Sequence, residues 1–191
     1  MCPKGAGALY VSSSLRLKPI LEGGIQEKGI RPGMENIPAI AGMGKAAGIA
    51  ARNMTERSRR LIDIRDRLLN ELPKRIDRLY ITGHLQNRLP GHVSFCVEFV
   101  EGESILLFLD MEGIAVSSGS ACTSKALKAS HVLLACGLDH ALAQGSIVAS
   151  LGIDNTHEDA DYFMEKLPAI IEKLRQMSPL YAEYLRNMKG E

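Results

Sequence analysis

The best candidate for a reactive side chain is Cys122, which lies in the stretch VSSGSACTSKALKAS over residues 116–130. Its neighbours are small or hydroxylated, so this cysteine has almost nothing apolar to pack against. A free cysteine is usually an inert core residue, because cysteine is among the most buried residue types. Hydroxyl and amide donors favour a thiolate, and Lys125 and Lys128 add positive potential, which lowers the pKa of a thiol. We therefore interpret Cys122 as a reachable nucleophile.

The other cysteines give weaker signals. Cys136 lies in the apolar stretch HVLLACG and Cys96 lies within a strand pattern, so we predict that both are inert core residues. The four cysteines form no C-x-x-C pair, which argues against a zinc site and against a disulfide framework. We expect free thiols in a reducing cytoplasm and no metal site.

Length and charge exclude several classes of protein. A chain of 191 residues is long enough for one domain with a proper core, or one domain with an appendage. Its net charge of +1 gives no electrostatic reason to expect nucleic acid or an anionic membrane as a partner. No apolar run approaches the roughly 20 residues that a membrane span needs, and the first residues lack the apolar stretch of a signal peptide.

The first third of the chain predicts a short strand, a loop and a long helix. The strand is GALYV over residues 7–11, and the glycine-rich loop covers residues 22–36. Asn36 is a candidate N-cap for a helix that runs from Ile37 towards Leu72 and ends at Pro73. On this helix we expect an apolar face formed by Leu61, Ile64, Leu68 and Leu72. On the opposite face we expect an i, i+4 ion pair between Asp63 and Arg67.

The rest of the chain alternates between strand and helix patterns. Strands are predicted at residues 78–83 and 92–100, and in the second of these Val93, Phe95, Val97 and Phe99 share one face. A helix closed by Gly113 follows, then a strand IAVSSG, a short helix capped by Ser130 and a strand GSIVASLG. A capping-box pattern at Thr156 opens an amphipathic helix, and a last helix covers residues 181–188. This order predicts a compact α/β domain with helices packed on one small sheet.

Several segments resemble one family in the right order. The segment from residue 100 to 138, VEGESILLFLDMEGIAVSSGSACTSKALKASHVLLACGL, closely resembles the C-terminal part of the NifS/IscS-type cysteine desulfurases. These are pyridoxal-phosphate enzymes of the aminotransferase class V family. PKGAGALYV resembles the family's GPKGxGALYV, GGIQEKGIRPGMEN resembles GGGQExGxRxGTxN, and GSIVASLGIDNTHEDAD resembles GSIRFSLGRxNTxEDxD.

The resemblance implies a fold, a reaction and partners. It implies the C-terminal small α/β domain of the fold type I pyridoxal-phosphate class, with a truncated remnant of the large domain at residues 1–36, a connecting helix at 37–76 and the small domain at 77–191. By this resemblance Cys122 takes sulfur as a persulfide and passes it to an acceptor protein, in iron–sulfur cluster assembly. A homodimer, or an N-terminal half or complete desulfurase in trans, is an implied partner.

Departures from the family pattern lead to a further expectation. The family's Schiff-base lysine would fall before Met1, and Lys4 matches a different lysine of the motif. Met34 stands where the family has a threonine that contacts the cofactor phosphate, and Val148 where it has the arginine that holds the substrate carboxylate. We therefore expect that the chain alone neither binds pyridoxal phosphate nor desulfurates cysteine. The alternatives are a non-catalytic binding module that docks to a desulfurase or a cluster scaffold, or a degenerate fragment with no present role.

Overall fold

The computed structural model describes residues 4–118 and 129–189. The chain divides into two compact units, Met1–Glu56 and Arg57–Glu191. The boundary falls inside the first helix, α1, which covers Ile37–Arg75. The functional division into residues 1–36, 37–76 and 77–191 stays a prediction.

The unit Met1–Glu56 has little regular structure before α1. Its described part holds one 3-10 turn, Gln26–Gly29, and no strand, so the predicted strand at residues 7–11 is wrong. A strand needs a hydrogen-bonding neighbour, and no described segment of this unit pairs with GALYV. Ala39 is the buried hydrophobic residue of this described part, whereas larger side chains such as Tyr10 and Ile20 are exposed.

The helix α1 begins as predicted and ends later than predicted. The Asn36 side-chain oxygen accepts a hydrogen bond from the Ala39 amide at 3.2 Å, which confirms the N-cap. Pro73 lies inside the helix, which continues to Arg75 although proline cannot donate the usual backbone bond. Burial of Leu72 and Ile76, and the bond from the Ile76 amide to the Leu72 carbonyl at 3.0 Å, hold this last turn in place.

The second half of α1 buries the predicted apolar face. Ile64, Leu68 and Leu72 are each at most 1% exposed. The predicted pair between Asp63 and Arg67 is wrong, because a neighbouring helix supplies other partners. Arg67 binds Asp161, and the Asp63 carboxylate lies 3.0 Å from the ring of His157.

Four antiparallel strands form one sheet in the order β1-β2-β4-β3. They are β1 (Leu79–Ile81), β2 (His92–Val97), β3 (Ser117–Ser118) and β4 (Ser146–Ser150). On the core face, Val93 lies opposite Ala149 and Phe95 lies opposite Ile147. Burial of Val93, Phe95 and Val97 confirms the predicted alternation.

The alternation stops at Val97, so Phe99 does not belong to the strand as predicted. Phe99 has a left-handed backbone, with φ of 69°, which few non-glycine residues adopt. Its ring centroid lies 4.9 Å from that of Tyr184 and 5.6 Å from that of Tyr181. The turn therefore directs this side chain to an aromatic cluster instead of the sheet.

The described part of the chain contains five further helices: α2 (Gly102–Met111), α3 (His131–Ala135), α4 (His140–Gln144), α5 (His157–Gln176) and α6 (Pro179–Lys189). The capping box of Thr156 with Asp159 at the start of α5 is confirmed. Ser130 precedes α3 as predicted, but its side chain makes no cap hydrogen bond. The core of the unit Arg57–Glu191 lies between the sheet and the helices α1, α2 and α5; its fully buried members include Ile105, Leu109, Met164, Leu167 and Ile171.

Candidate functional site

The described chain leads to the Cys122 segment through an edge strand. Cys122 itself lies outside the described residues. β3 pairs with β4, with Ser117 opposite Val148 and Ser118 opposite Ile147. The Ser117 hydroxyl also donates a hydrogen bond to the Val148 carbonyl at 3.4 Å. The sheet therefore fixes the backbone up to Ser118, four residues before Cys122.

Small and hydroxylated residues line the sheet face that points away from the core. Ser94 lies opposite Val148, which in turn lies opposite Ser117. The Thr82 amide donates to the Ser94 carbonyl at 2.9 Å, and the Thr82 and Ser94 hydroxyls share a second hydrogen bond. Thr82 and Ser94 are only 6% and 7% exposed. One of these two buried hydroxyls therefore donates to the other, so each has a partner inside the sheet.

A half-buried arginine, Arg88, lies in the loop before β2, most of which is exposed. The Arg88 guanidinium donates to the carbonyls of Thr82 and His84 at 2.6 Å each, and to that of His92 at 3.4 Å. Burial, and then the charge of Arg65, lowers the pKa of Arg88. Burial also lowers the pKa of His92, with a smaller contribution from Arg88, so His92 is neutral at pH 7. The Arg88 donors are occupied by backbone, so this arginine holds the loop.

Sequence reasoning missed this role of Arg88 and of Arg65. Arg65 is 4% exposed and donates to the Leu89 carbonyl at 3.3 Å, besides its pair with Asp66. Both arginines lie in polar stretches of sequence, and such stretches predict solvent-exposed positions. The proline and glycine of RLPG, which mark a tight turn near Arg88, are the local signal of an ordered loop.

The two described cysteines differ from each other. Cys96 is fully buried, as predicted, and burial, followed by the negative charge of Asp139, raises the pKa of its thiol to about 11. Cys136 is exposed, so the prediction of a core position is wrong. The reason is that α3 has only five residues and buries none of them. The raised pKa of Cys96 is the opposite of the activation predicted for Cys122.

Met34 and Val148 do not supply the contacts to pyridoxal phosphate and to the substrate that the resemblance implies at their positions. A phosphate or carboxylate needs hydrogen-bond donors or cations. Met34 is 96% exposed and its thioether cannot donate, while Val148 presents a half-buried hydrocarbon. The hydroxyls nearest to Val148 already bind one another or backbone. In the described ranges, no three or more histidine, cysteine or acidic side chains are grouped to hold a metal ion.

None of the helices in the described part is both long enough and apolar enough to span a membrane.

Related proteins match this chain over most of its length. The aminotransferase class-V family matches residues 1–163. Cysteine desulfurase IscS 1 of Archaeoglobus fulgidus is 53% identical over 94% of this chain and 47% of its own length. Cysteine desulfurase IscS of Methanosarcina thermophila is 46% identical over 97% of this chain and 46% of its own length.

Solved structures agree with these matches. A NifS-like protein from Rickettsia africae superimposes with a TM-score of 0.72 and 31% identity, over 84% of this chain and 41% of that protein. The chain thus spans about half the length of the relatives it matches, and it has the α/β fold of part of a NifS-like protein. A family match over most of the chain, high identity to two desulfurases and a shared fold lead to one conclusion: this chain belongs to the aminotransferase class-V family, as a homologue of the IscS and NifS cysteine desulfurases.

Proposed function

We propose that this chain takes part in sulfur transfer, as a cysteine desulfurase-like protein whose Cys122 carries a persulfide. The observation that carries the proposal is the pairing of β3 with β4, which ends four residues before Cys122. A carrier thiol needs a firmly held base and a segment that can meet both a donor and an acceptor. The hydroxyl-rich stretch around Cys122 and the names of the relatives add support.

The proposed reaction moves one sulfur atom between thiols. The Cys122 thiolate attacks the outer sulfur of a persulfide on a donor protein. A new S–S bond forms to Cys122 while the S–S bond of the donor breaks, and the donor leaves as a thiolate. The Cys122 sulfur is oxidised and the donor sulfur is reduced, so no external oxidant is required. A second exchange of the same kind passes the sulfur to an acceptor thiol.

The proposal includes the partners of this reaction. The donor is a complete cysteine desulfurase, or an N-terminal companion half, and it supplies the pyridoxal phosphate that releases sulfur from cysteine. The acceptor is a scaffold protein of iron–sulfur cluster assembly. A reducing cytoplasm would keep Cys122 free, since disulfides do not persist there.

Exposed apolar residues in the unit Met1–Glu56 support a protein partner. Leu9, Tyr10, Ile20 and Ile25 are each more than three-quarters exposed. Exposed apolar surface is costly in water, so burying these side chains would favour association with a partner. A companion half or a second copy of this chain would cover them.

Intact-protein mass spectrometry tests the proposal. The chain is incubated with cysteine and pyridoxal phosphate, alone and with a complete desulfurase, and an added mass of about 32 Da, one sulfur atom, is sought. We expect the adduct only with the desulfurase, mapped to Cys122. Cys122→Ser should abolish it, whereas Cys136→Ser, which removes another exposed thiol, should not.

Two other results would change the interpretation. An adduct formed without the desulfurase would contradict our expectation for the cofactor, because the chain would then activate it alone. No adduct in either condition would contradict sulfur transfer and would favour the binding module or the degenerate fragment. Capture of a desulfurase by the Cys122→Ser variant would then separate those two.

A further inference from the structure

A groove of about 770 Å³ lies in the unit Arg57–Glu191, where α4, α6 and the loop between β2 and α2 meet. From α6 it is lined by Leu180, Glu183, Tyr184 and Asn187, whose spacing of three and four residues places them on one helix face. The stacked rings of Phe99 and Tyr184 fix this face against the loop. The groove is therefore a formed feature of the unit.

The charge of the groove has one sign. Among the residues that the structure describes, its lining includes four carboxylates and no lysine, arginine or histidine; the acids are Glu98, Glu101, Asp139 and Glu183. Glu98 is engaged by Arg78 at 2.7 Å and by the Tyr80 hydroxyl at 3.0 Å. Asp139 accepts the Leu142 amide at 2.9 Å as the cap of α4. These two acids are held in place by bonds inside the chain.

The other two carboxylates are available to a ligand. Glu101 and Glu183 are exposed, and neither carboxylate has a hydrogen bond or an ion pair within residues 4–118 and 129–189. They stand on different elements, the loop before α2 and the helix α6. Two carboxylates of this kind attract cations that are spaced along the groove.

The remaining surface of the groove is apolar. Met177 and Leu180 are 68% and 60% exposed, which is high for side chains of this size. Methionine is flexible and is frequent on surfaces that bind peptides. Carboxylates that alternate with exposed apolar side chains complement a ligand with cations and apolar groups on one face.

We infer that this groove docks a basic amphipathic segment of a partner protein, with lysine or arginine against Glu101 and Glu183 and apolar side chains against Met177 and Leu180. A polypeptide segment fits better than a small cation, because the free acids lie on separate elements and the apolar rim is exposed. The inference stands without Cys122 and without sulfur transfer.

The test measures binding of a fluorescent helical peptide of leucine and lysine to the 191-residue chain by anisotropy. We expect Glu101→Gln with Glu183→Gln to weaken binding about 3- to 10-fold, as the loss of two exposed charge pairs predicts. The matched control is Glu165→Gln with Glu172→Gln, which removes two exposed acids of α5 outside the groove. This control has the same net charge as the variant with Glu101→Gln and Glu183→Gln. It should nevertheless bind the peptide as tightly as the unchanged chain does.

Further arms identify the occupant. Leu180→Ser should weaken binding without loss of helix content by circular dichroism, and a leucine–glutamate peptide should not bind. Equal weakening in the two double variants, or no binding of the leucine–lysine peptide at all, would overturn the inference. Spermidine that binds as tightly as the peptide, with the same dependence on Glu101 and Glu183, would also overturn it and would assign the groove to small cations.

Discussion

Arg78 donates a hydrogen bond to the hydroxyl oxygen of Tyr184 at 2.9 Å, and its guanidinium carbon lies 4.4 Å from the centroid of the same ring. The hydrogen bond to Glu98 and, with a smaller effect, the one to Tyr184 raise the pKa of Arg78. The residue before β1 is thus tied to α6, more than a hundred residues later in the chain. This contact anchors the last helix of the unit.

The first prediction concerns this anchor. Tyr184→Ala should destabilise the chain by about 1–2 kcal/mol, because it removes the stacked contact with Phe99 and the surface beneath Arg78. Tyr184→Phe keeps the ring and should cost less. Urea unfolding monitored by circular dichroism measures both. Equal losses in the two variants would contradict a role for the ring.

The second prediction compares two leucines of α2. Leu109 is fully buried, whereas Leu107 is 62% exposed. Leu109→Ala should cost about 2–5 kcal/mol, since it removes core packing and leaves a cavity. Leu107→Ala should change the free energy of unfolding by less than about 0.5 kcal/mol. Similar costs for the two variants in urea unfolding would show that the described orientation of α2 is wrong.

The third prediction concerns helix caps. The Thr156 hydroxyl accepts the Asp159 amide at 3.3 Å, whereas Ser130 makes no such bond to α3. Thr156→Ala should therefore cost about 1 kcal/mol. Ser130→Ala should be close to neutral, and thermal unfolding compares the two. A loss at Ser130 as large as that at Thr156 would mean that Ser130 also caps its helix in solution.

The sequence predicted those elements whose pattern is local. Val93, Phe95 and Val97 alternate along β2 and belong to the core together, and Thr156 and Asp159 have the spacing of a capping box. These features depend on residues that are close along the chain. Most of the sheet and the α5 helix could therefore be predicted before the structure was known.

The features that could not be predicted depend on distant neighbours. Arg67 could bind Asp63 by spacing, but the structure gives it Asp161, which is 94 residues away. Phe99 continues the strand pattern, but a left-handed turn directs it to Tyr181 and Tyr184. In the candidate site, the composition of the segment around Cys122 predicts a reactive thiol there. The sequence could not reveal the pairing of Ser117 with Val148, because these residues are far apart along the chain.

The fourth prediction is a pH dependence at the start of α5. The Thr156 backbone amide and, with a smaller effect, the Asn155 side chain donate hydrogen bonds to the Asp159 carboxylate. These bonds lower the pKa of Asp159 below its ordinary value of 3.8. Because the folded pKa is depressed, this stabilisation is complete above 3.8 and is lost as pH falls through the lower, folded-state value. Asp159→Asn should therefore lower the melting temperature at pH 7 and have a much smaller effect in acid.

The control for this pH dependence is Asp110→Asn, at an exposed aspartate whose carboxylate has no hydrogen bond in the described part of the chain. It should change the melting temperature little at either pH. A penalty for Asp159→Asn that stays constant between neutral and acidic pH would show that the carboxylate charge does not stabilise the cap.

The fifth prediction compares the thiols by alkylation with iodoacetamide, mapped by peptide mass spectrometry. Cys96 should not react in the folded chain, because it is fully buried and its pKa is raised to about 11, and it should react after unfolding in urea. Cys136 should react in the folded chain, because it is exposed. Cys122 should react with a rate midpoint below the ordinary thiol pKa of about 8.5, as a carrier thiolate requires. A midpoint at or above that value would remove the chemical basis of sulfur transfer and would favour the binding module.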